Sequence, residues 1–386
     1  MRELRLHVRL LLEQGRDRPL TMRRRIVTPK RLSRTREGQR HLRGRVFTAL
    51  DLFSGCGGLS QGLKRAGFKV LAAVDDDHPS METYCLNHRD VEPLEEDIRK
   101  LKTLSVKRKL GIRKGGLDLL AGCPPCQGFS AMRTLNGSLA IRDRRNDLLF
   151  EFQRFVEDLQ PKAVMLENVP GLARDRRFRA FCKKMNDLGY IGKHRVLDAA
   201  DYGVPQRRRR LIYLAGLGME VQFGNPSSVR KTVRDAIKGL PKPGRTRDHI
   251  HNLKEERTEG ILQLIKRIPK NGGSRTDLPR RFQLGCHKAC DGFKDVYGRM
   301  SWDDTAPTIT GGCFNPSKGR FLHPTQNRAI TMREAAILQG FPRTYKFSRK
   351  CPKTVLAVII GNALPPSFVA SHARSVRRML CARTSI

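Results

Sequence analysis

Acidic residues are scarce in this chain. It holds 37 aspartates and glutamates against 76 lysines and arginines in 386 residues, a formal charge of +39 at pH 7. Such a field attracts polyanions, because each Lys or Arg contact releases counterions condensed on them. Nucleic acid is the leading candidate, a membrane surface is its rival, and plain compositional bias is the third reading. The excess is arginine more than lysine, and arginine suits bidentate contact with phosphate and guanine. Long hydrophobic runs are also missing. The longest late run, "TVLAVIIGNAL" (354–364), is too short to cross a bilayer. The opening "MRELRLHVRLLLEQGR" is broken by charges every few residues, unlike a secretory signal. The ten cysteines show no disulfide-framework spacing, so the expectation is a cytoplasmic protein with free thiols and no membrane partner. There is no internal repeat.

What is present changes along the chain. Residues 1–45 are arginine-rich and aperiodic and read as a flexible basic arm. From Val46 onward, apolar runs alternate with amphipathic stretches. "RVFTALDLF", "KVLAAVDDD", "GLDLLAGCPP", "PKAVMLENV" and "RRLIYLAGL" read as strands. "LSQGLKRAGF", "SMETYCLNH", "NDLLFEFQRFVEDLQ" and "FRAFCKKMNDLGY" read as helices between them. That alternation predicts an α/β fold, a Rossmann-like and mostly parallel sheet covered on both faces. It spans 46–218. Residues 219–325 are rich in Gly, Pro, Lys and Arg and predict a smaller second domain. "TMREAAILQGFP" (331–342) predicts a helix in the closing part, 326–386, which ends in an apolar segment, a Gly–Asn turn and a final helix.

Five stretches and Asp75 carry chemistry. "DLFSGCGGLSQG" (51–62) puts glycines in the first strand-to-helix turn, where backbone can approach a ligand closely. Asp75 ends the next strand and suits two ribose hydroxyls. An adenosine-bearing cofactor follows, either a nicotinamide or S-adenosylmethionine, against the plainer reading of tight strand-on-helix packing. Asp97, in "LEEDIRKL", suits the adenine amine, or is simply a surface acid. In "AGCPPCQGFS" (121–130), Cys123 and Cys126 admit three readings: half of a zinc site, a redox pair, or one nucleophile beside a bystander. Zinc needs two more ligands, and "CHKAC" (286–290) lies far away in the other domain. "CPPC" alone does resemble a redox motif. The strand before it belongs to the sheet that carries the adenosine site, so the loop sits where ligands bind. "LENVPG" (166–171) puts Glu167 at another strand end on that edge. "VPQRRRRLIYL" (204–214) alternates Arg208 and Arg210 onto one face. A helix cap or ion pair is the plain reading of Glu167, and a solvated basic face that of the arginines.

Taken in order, "DLFSGCGG", "GCPPCQGFS", "ENV", "PQRRRR", "REAAILQGFP" and "GNALPPSF" resemble the motifs of the cytosine-5 DNA methyltransferases over roughly 46–380. The resemblance implies a prokaryotic restriction–modification type of enzyme that acts on double-stranded DNA. It uses S-adenosylmethionine and no metal, and works as a monomer, with a cognate endonuclease as a possible second partner. It makes 46–218 the catalytic, cofactor-binding domain and 219–325 the target-recognition domain, with 326–386 returning to the catalytic domain. Cys126 is then the nucleophile, Glu167 the group at the N3 and amino edge of the base, and Arg208 its contact at O2, with Arg210 supporting the loop. Cys123 has no catalytic role. Phe53, Gly55, Gly57, Asp75, Asp97, Leu148 and Asn362 are the implied cofactor residues. One departure stands out: Asp76 occupies the position after the ribose acid, where the family often carries a bulky residue on the adenine. An RNA substrate and a DNA-binding regulator without catalysis are the alternatives. The intact Cys126, Glu167 and Arg208 argue against the regulator.

Overall fold

A computed structural model describes residues 45–125, 148–285 and 295–384. The basic arm up to Gly44, the expected nucleophile Cys126 and the pair Cys286 and Cys290 fall outside them.

The apolar runs become strands and the amphipathic stretches become helices. In chain order these are β1 (Phe47–Leu52), α1 (Gly58–Arg65), β2 (Phe68–Asp75), α2 (His78–Asn87), β3 (Glu92–Glu95), α3 (Thr103–Leu110) and β4 (Leu119–Gly122). Then come α4 (Leu148–Leu159), β5 (Ala163–Asn168), α5 (Arg176–Asp187), β6 (Tyr190–Asp198) and β7 (Arg209–Leu217). They form one sheet in the order β3-β2-β1-β4-β5-β7-β6. The first five strands of that order run parallel. β7 runs antiparallel to both β5 and β6.

Side-chain alternation splits each central strand between two cores. Met165, Ile212 and Leu214 join α1 and the C-terminal helix on one face. Val164, Leu166, Leu211 and Tyr213 join α4 and α5 on the other, around Phe152, Phe155, Phe178 and Phe181. Both faces are covered, so the central strands are buried along their whole length, as β4 and β5 show, where polar residues enter only at the carboxyl end of β5. β6 departs from the expectation. All but one of its residues are exposed or half-exposed and its middle is polar, Lys-His-Arg, so no apolar run marks it. It lies at the sheet edge and reaches β7 through only ten residues, too few for the helical crossover that a parallel partner needs.

Beyond β7 the described helices are α6 (Val233–Ile237), α7 (Glu259–Arg267), α8 (Met332–Leu338), α9 (Lys353–Asn362) and α10 (Pro366–Arg383). The region after Leu217 has short turns and a small apolar cluster of its own, built on Leu264, Ile265, Ile268 and Leu322. Beside it, Arg299 is fully buried and donates to the carbonyls of Ile265, Ile268, His323 and Gln326. α8 opens on a capping box: Thr331 Oγ1 accepts from the Glu334 N–H and Glu334 Oε2 accepts from the Thr331 N–H.

α9 and α10 together are long and apolar enough to cross a bilayer, but most of that stretch is buried in the core. α10 lies against α1 so closely that a Cβ on Gly62 would sit 2.4 Å from that of Val369. The two ends of the described chain meet there, with Arg45 Nη1 donating to Thr384 Oγ1 at 3.4 Å.

Candidate active site

The carboxyl edge of the parallel strands opens into a cavity of about 540 Å³. β1 supplies its first wall. After Leu52 the backbone turns through Phe53 (φ 60°) and Gly55 (φ 51°), a left-handed path that costs energy at Phe53 and little at glycine. The turn aims the Gly55 N–H at Asp75 Oδ2, 2.8 Å away at the end of β2. Asp75 Oδ1 accepts from the Asp77 N–H at 3.0 Å. The carboxylate is thus fixed by backbone from two sides. Burial lifts its pKa to about 6, against the lowering effect of the two N–H groups, and nearby Asp76 and Asp77 add to the rise.

Phe53, Gly55, Asp75, Asp97, Leu148 and Asn362 all line this cavity. Gly57 does not. It holds φ 93°, and a Cβ there would meet His88 Nε2 at 2.5 Å and Tyr345 OH at 2.6 Å. Those two groups hydrogen-bond each other at 3.0 Å, and Tyr345 OH donates to the Cys56 carbonyl. Gly57 therefore makes room for packing behind the turn.

A second cluster adjoins the first. Glu167, at the end of β5, is 8% exposed. Its carboxylate pairs with Arg210, Nε to Oε1 2.9 Å. Arg208 is just as buried but is engaged elsewhere: its guanidinium donates to the carbonyls of Ile309, Gly361 and Asn362 at 3.2, 3.0 and 3.5 Å. Burial first, and then the neighbouring Arg210 charge, lower the Arg208 pKa to about 9 against the raising effect of Glu167. Both arginines point inward while Arg207 and Arg209 are exposed, as alternation requires. The resemblance sets Arg208 at the O2 of the base and Arg210 as the support of the loop. Arg210 faces the carboxylate, and Arg208 holds the loops.

Three further residues are structural parts that the motifs alone do not announce. Asn168 Nδ2 donates to the Pro124 carbonyl at 2.8 Å, tying the end of β5 to the Pro–Pro loop just before Cys126. Gln206 is fully buried and bridges a helix end and a loop: its Nε2 donates to the Leu338 carbonyl and its Oε1 accepts from the Ile309 N–H. Cys123 lines the cavity, and its N–H donates to the Leu52 carbonyl. Burial pushes its thiol well above the usual range, and the adjacent Glu167 charge, which accepts from it, adds to this. A thiol held protonated is a poor nucleophile.

Cys123, which lines the same cavity as Asp75, thus adjoins the Glu167–Arg210 pair. A family profile described as C-5 cytosine-specific DNA methylase matches residues 47–378. The chain belongs to that family. The methylase is 35% identical over 356 residues to the Type II methylase M.HgiDII of Herpetosiphon aurantiacus, covering 87% of this chain and 96% of the relative. It is 35% identical over 340 residues to the Type II methyltransferase M1.HphI of Haemophilus parahaemolyticus, covering 86% and 87%. Among solved structures, it is similar to a prophage-encoded DNA modification methyltransferase of E. coli, with TM-score 0.64 and 27% identity over 86% of this chain and 99% of that one. The methylase acts on cytosine in DNA, and its donor is the methyl group of S-adenosylmethionine. Both the sequence match and the sheet support this.

Proposed function

We propose that this methylase modifies carbon 5 of a cytosine flipped out of double-stranded DNA at a specific sequence, through a covalent adduct with Cys126. The pairing of Glu167 with Arg210 beside the adenosine-sized cavity carries the reading. Carbon 5 of cytosine is a weak nucleophile, and addition of a thiolate at carbon 6 activates it. Glu167 faces the N3 and amino edge, so that charge can build in the ring. Arg210, kept beside Glu167, contacts O2 and favours the thiolate form of Cys126. Arg208 is a positioning residue that clamps the backbone at 309 and 361–362. Asn168 fixes the loop that presents Cys126.

Asp75 would bind the ribose of S-adenosylmethionine, Asp97 the adenine amine, and Phe53, Leu148 and Asn362 would pack along it. The cavity volume and the doubly anchored Asp75 carboxylate fit that molecule. When bound, it supplies an electrophilic methyl group for carbon 5. Loss of the carbon 5 proton and elimination of Cys126 then release 5-methylcytosine. A base inside a stacked duplex cannot reach these groups, and unstacking costs a few kcal/mol, offset by pocket and phosphate contacts. Residues 219–325 form the target-recognition domain, which reads base edges. The enzyme works in the cytoplasm as a monomer, as the modification partner of an endonuclease with the same site.

Bisulfite sequencing of plasmid DNA from cells expressing the chain tests this. Protected cytosines confined to one short sequence context are expected. Full conversion of every cytosine, with soluble protein present, overturns the reading.

A further inference from the structure

The adenine end of the cavity holds an arrangement that neither the family match nor the motifs assign. Ile98 and Phe53 supply its apolar surface, and Asp76, Asp97 and Arg99 its charged surface. No aromatic ring other than Phe53 lines the described cavity. Arg99 is held flat against Asp97: Nε lies 2.9 and 3.0 Å from the two carboxylate oxygens, and Nη2 lies 2.6 Å from Oδ2. Its side chain is 48% exposed, and Asp97's 21%. One edge of the guanidinium is therefore used, while about half of the side chain stays exposed in the cavity lining.

The backbone beneath is rigid. Lys100 N–H and Leu101 N–H both donate to the Asp97 carbonyl, closing a turn. From α4, Arg154 Nη2 donates to the carbonyls of Ile98 and Leu101 at 2.7 and 3.2 Å. Arg99 thus projects from a fixed turn and is itself fixed by Asp97. A guanidinium restrained in one plane is a good stacking surface for a planar, electron-rich heterocycle.

We infer that Arg99 is a specificity-determining residue for the cofactor, its guanidinium stacking on the adenine ring where Asp76 offers no apolar surface. Ile98 covers the ring from the apolar side. Asp97 then has two tasks, receiving the adenine amine and orienting Arg99. This inference rests on the assignment of the cavity to S-adenosylmethionine.

The test is calorimetric titration of the full chain with S-adenosylhomocysteine and with 5′-methylthioadenosine, which lacks the amino-acid end. Arg99→Ala is expected to raise Kd about three- to thirtyfold for both ligands, the range of a cation–ring contact. Arg99→Lys, which keeps the charge and loses the plane, is expected to fall well short of wild type. Arg99→Ala combined with Asp76→Phe is expected to recover most of the loss, because a ring at 76 replaces the missing surface. An unchanged Kd in Arg99→Ala, or full recovery in Arg99→Lys, overturns the stacking role. Wild type that binds neither ligand instead overturns the cofactor assignment itself, so the two failures are told apart.

Discussion

Arg210 and Glu167 meet across the antiparallel pairing of β7 with β5, with Nε 2.9 Å from Oε1. Only an antiparallel β7 brings the start of that strand beside the end of β5. The reversed strand β7, set between β5 and β6, is thus what puts an arginine on a carboxylate at the active edge.

The two arginines should separate cleanly on substitution. Arg210→Ala is expected to lower kcat about 10²- to 10³-fold, the scale of losing a donor aimed at developing charge. Its melting temperature should shift little. Arg208→Ala leaves two buried carbonyls and a part-buried one without their donor and should cost about 3 kcal/mol of stability or more. Urea denaturation alongside single-turnover methylation distinguishes them. Equal stability losses in both variants contradict this division of labour.

The cysteines should separate as sharply. Cys126→Ser is expected to abolish methyl transfer, by a factor of about 10³ or more, with DNA binding retained. Cys123→Ala should keep most of the activity, because its thiol stays protonated against Glu167. Methylation assays with gel-shift controls decide this. Unchanged transfer in Cys126→Ser sinks the assigned nucleophile.

Cofactor affinity should depend on pH through Asp75. Its carboxyl titrates near 6, and ribose hydroxyls donate to the ionised form. Binding is then full well above pH 6 and weakens as pH falls through 6, by at most about tenfold per unit. Asp75→Asn lacks this titration and should bind weakly at all pH values. The check is S-adenosylhomocysteine affinity from about pH 8 to about pH 5. A flat wild-type profile removes Asp75 from the ribose site.

Gly57→Ala should be destabilising even though it lines no part of the cavity. It forces φ 93° on a residue with a Cβ and drives that atom into His88 and Tyr345. A loss of about 2–4 kcal/mol is expected by thermal denaturation. A loss confined to cofactor affinity would instead place Gly57 in the binding surface.

Much of the fold was legible because central parallel strands are apolar on both faces, as "PKAVMLENV" is. β6 was not, because an edge strand is half-solvated and "YIGKHRVLD" carries no clean alternation. At the site, strand alternation placed Arg208 and Arg210 on one face. It could not say which of them the loops at 309 and 361–362 would cover, because those carbonyls lie about 100 and 150 residues further along the chain. Asn168 illustrates the same limit. Its reach to Pro124 depends on β4 and β5 being neighbours, which no local pattern encodes.

The contact of Arg45 with Thr384 has a topological meaning. The described chain forms a nearly closed loop, and a few added residues would join its ends. A new opening in an exposed turn between 219 and 285 would leave every strand neighbour and every site residue in place. The order in which the motifs are read along the gene is thus incidental to the sheet that assembles them, and a circularly permuted form of this methylase should fold and work.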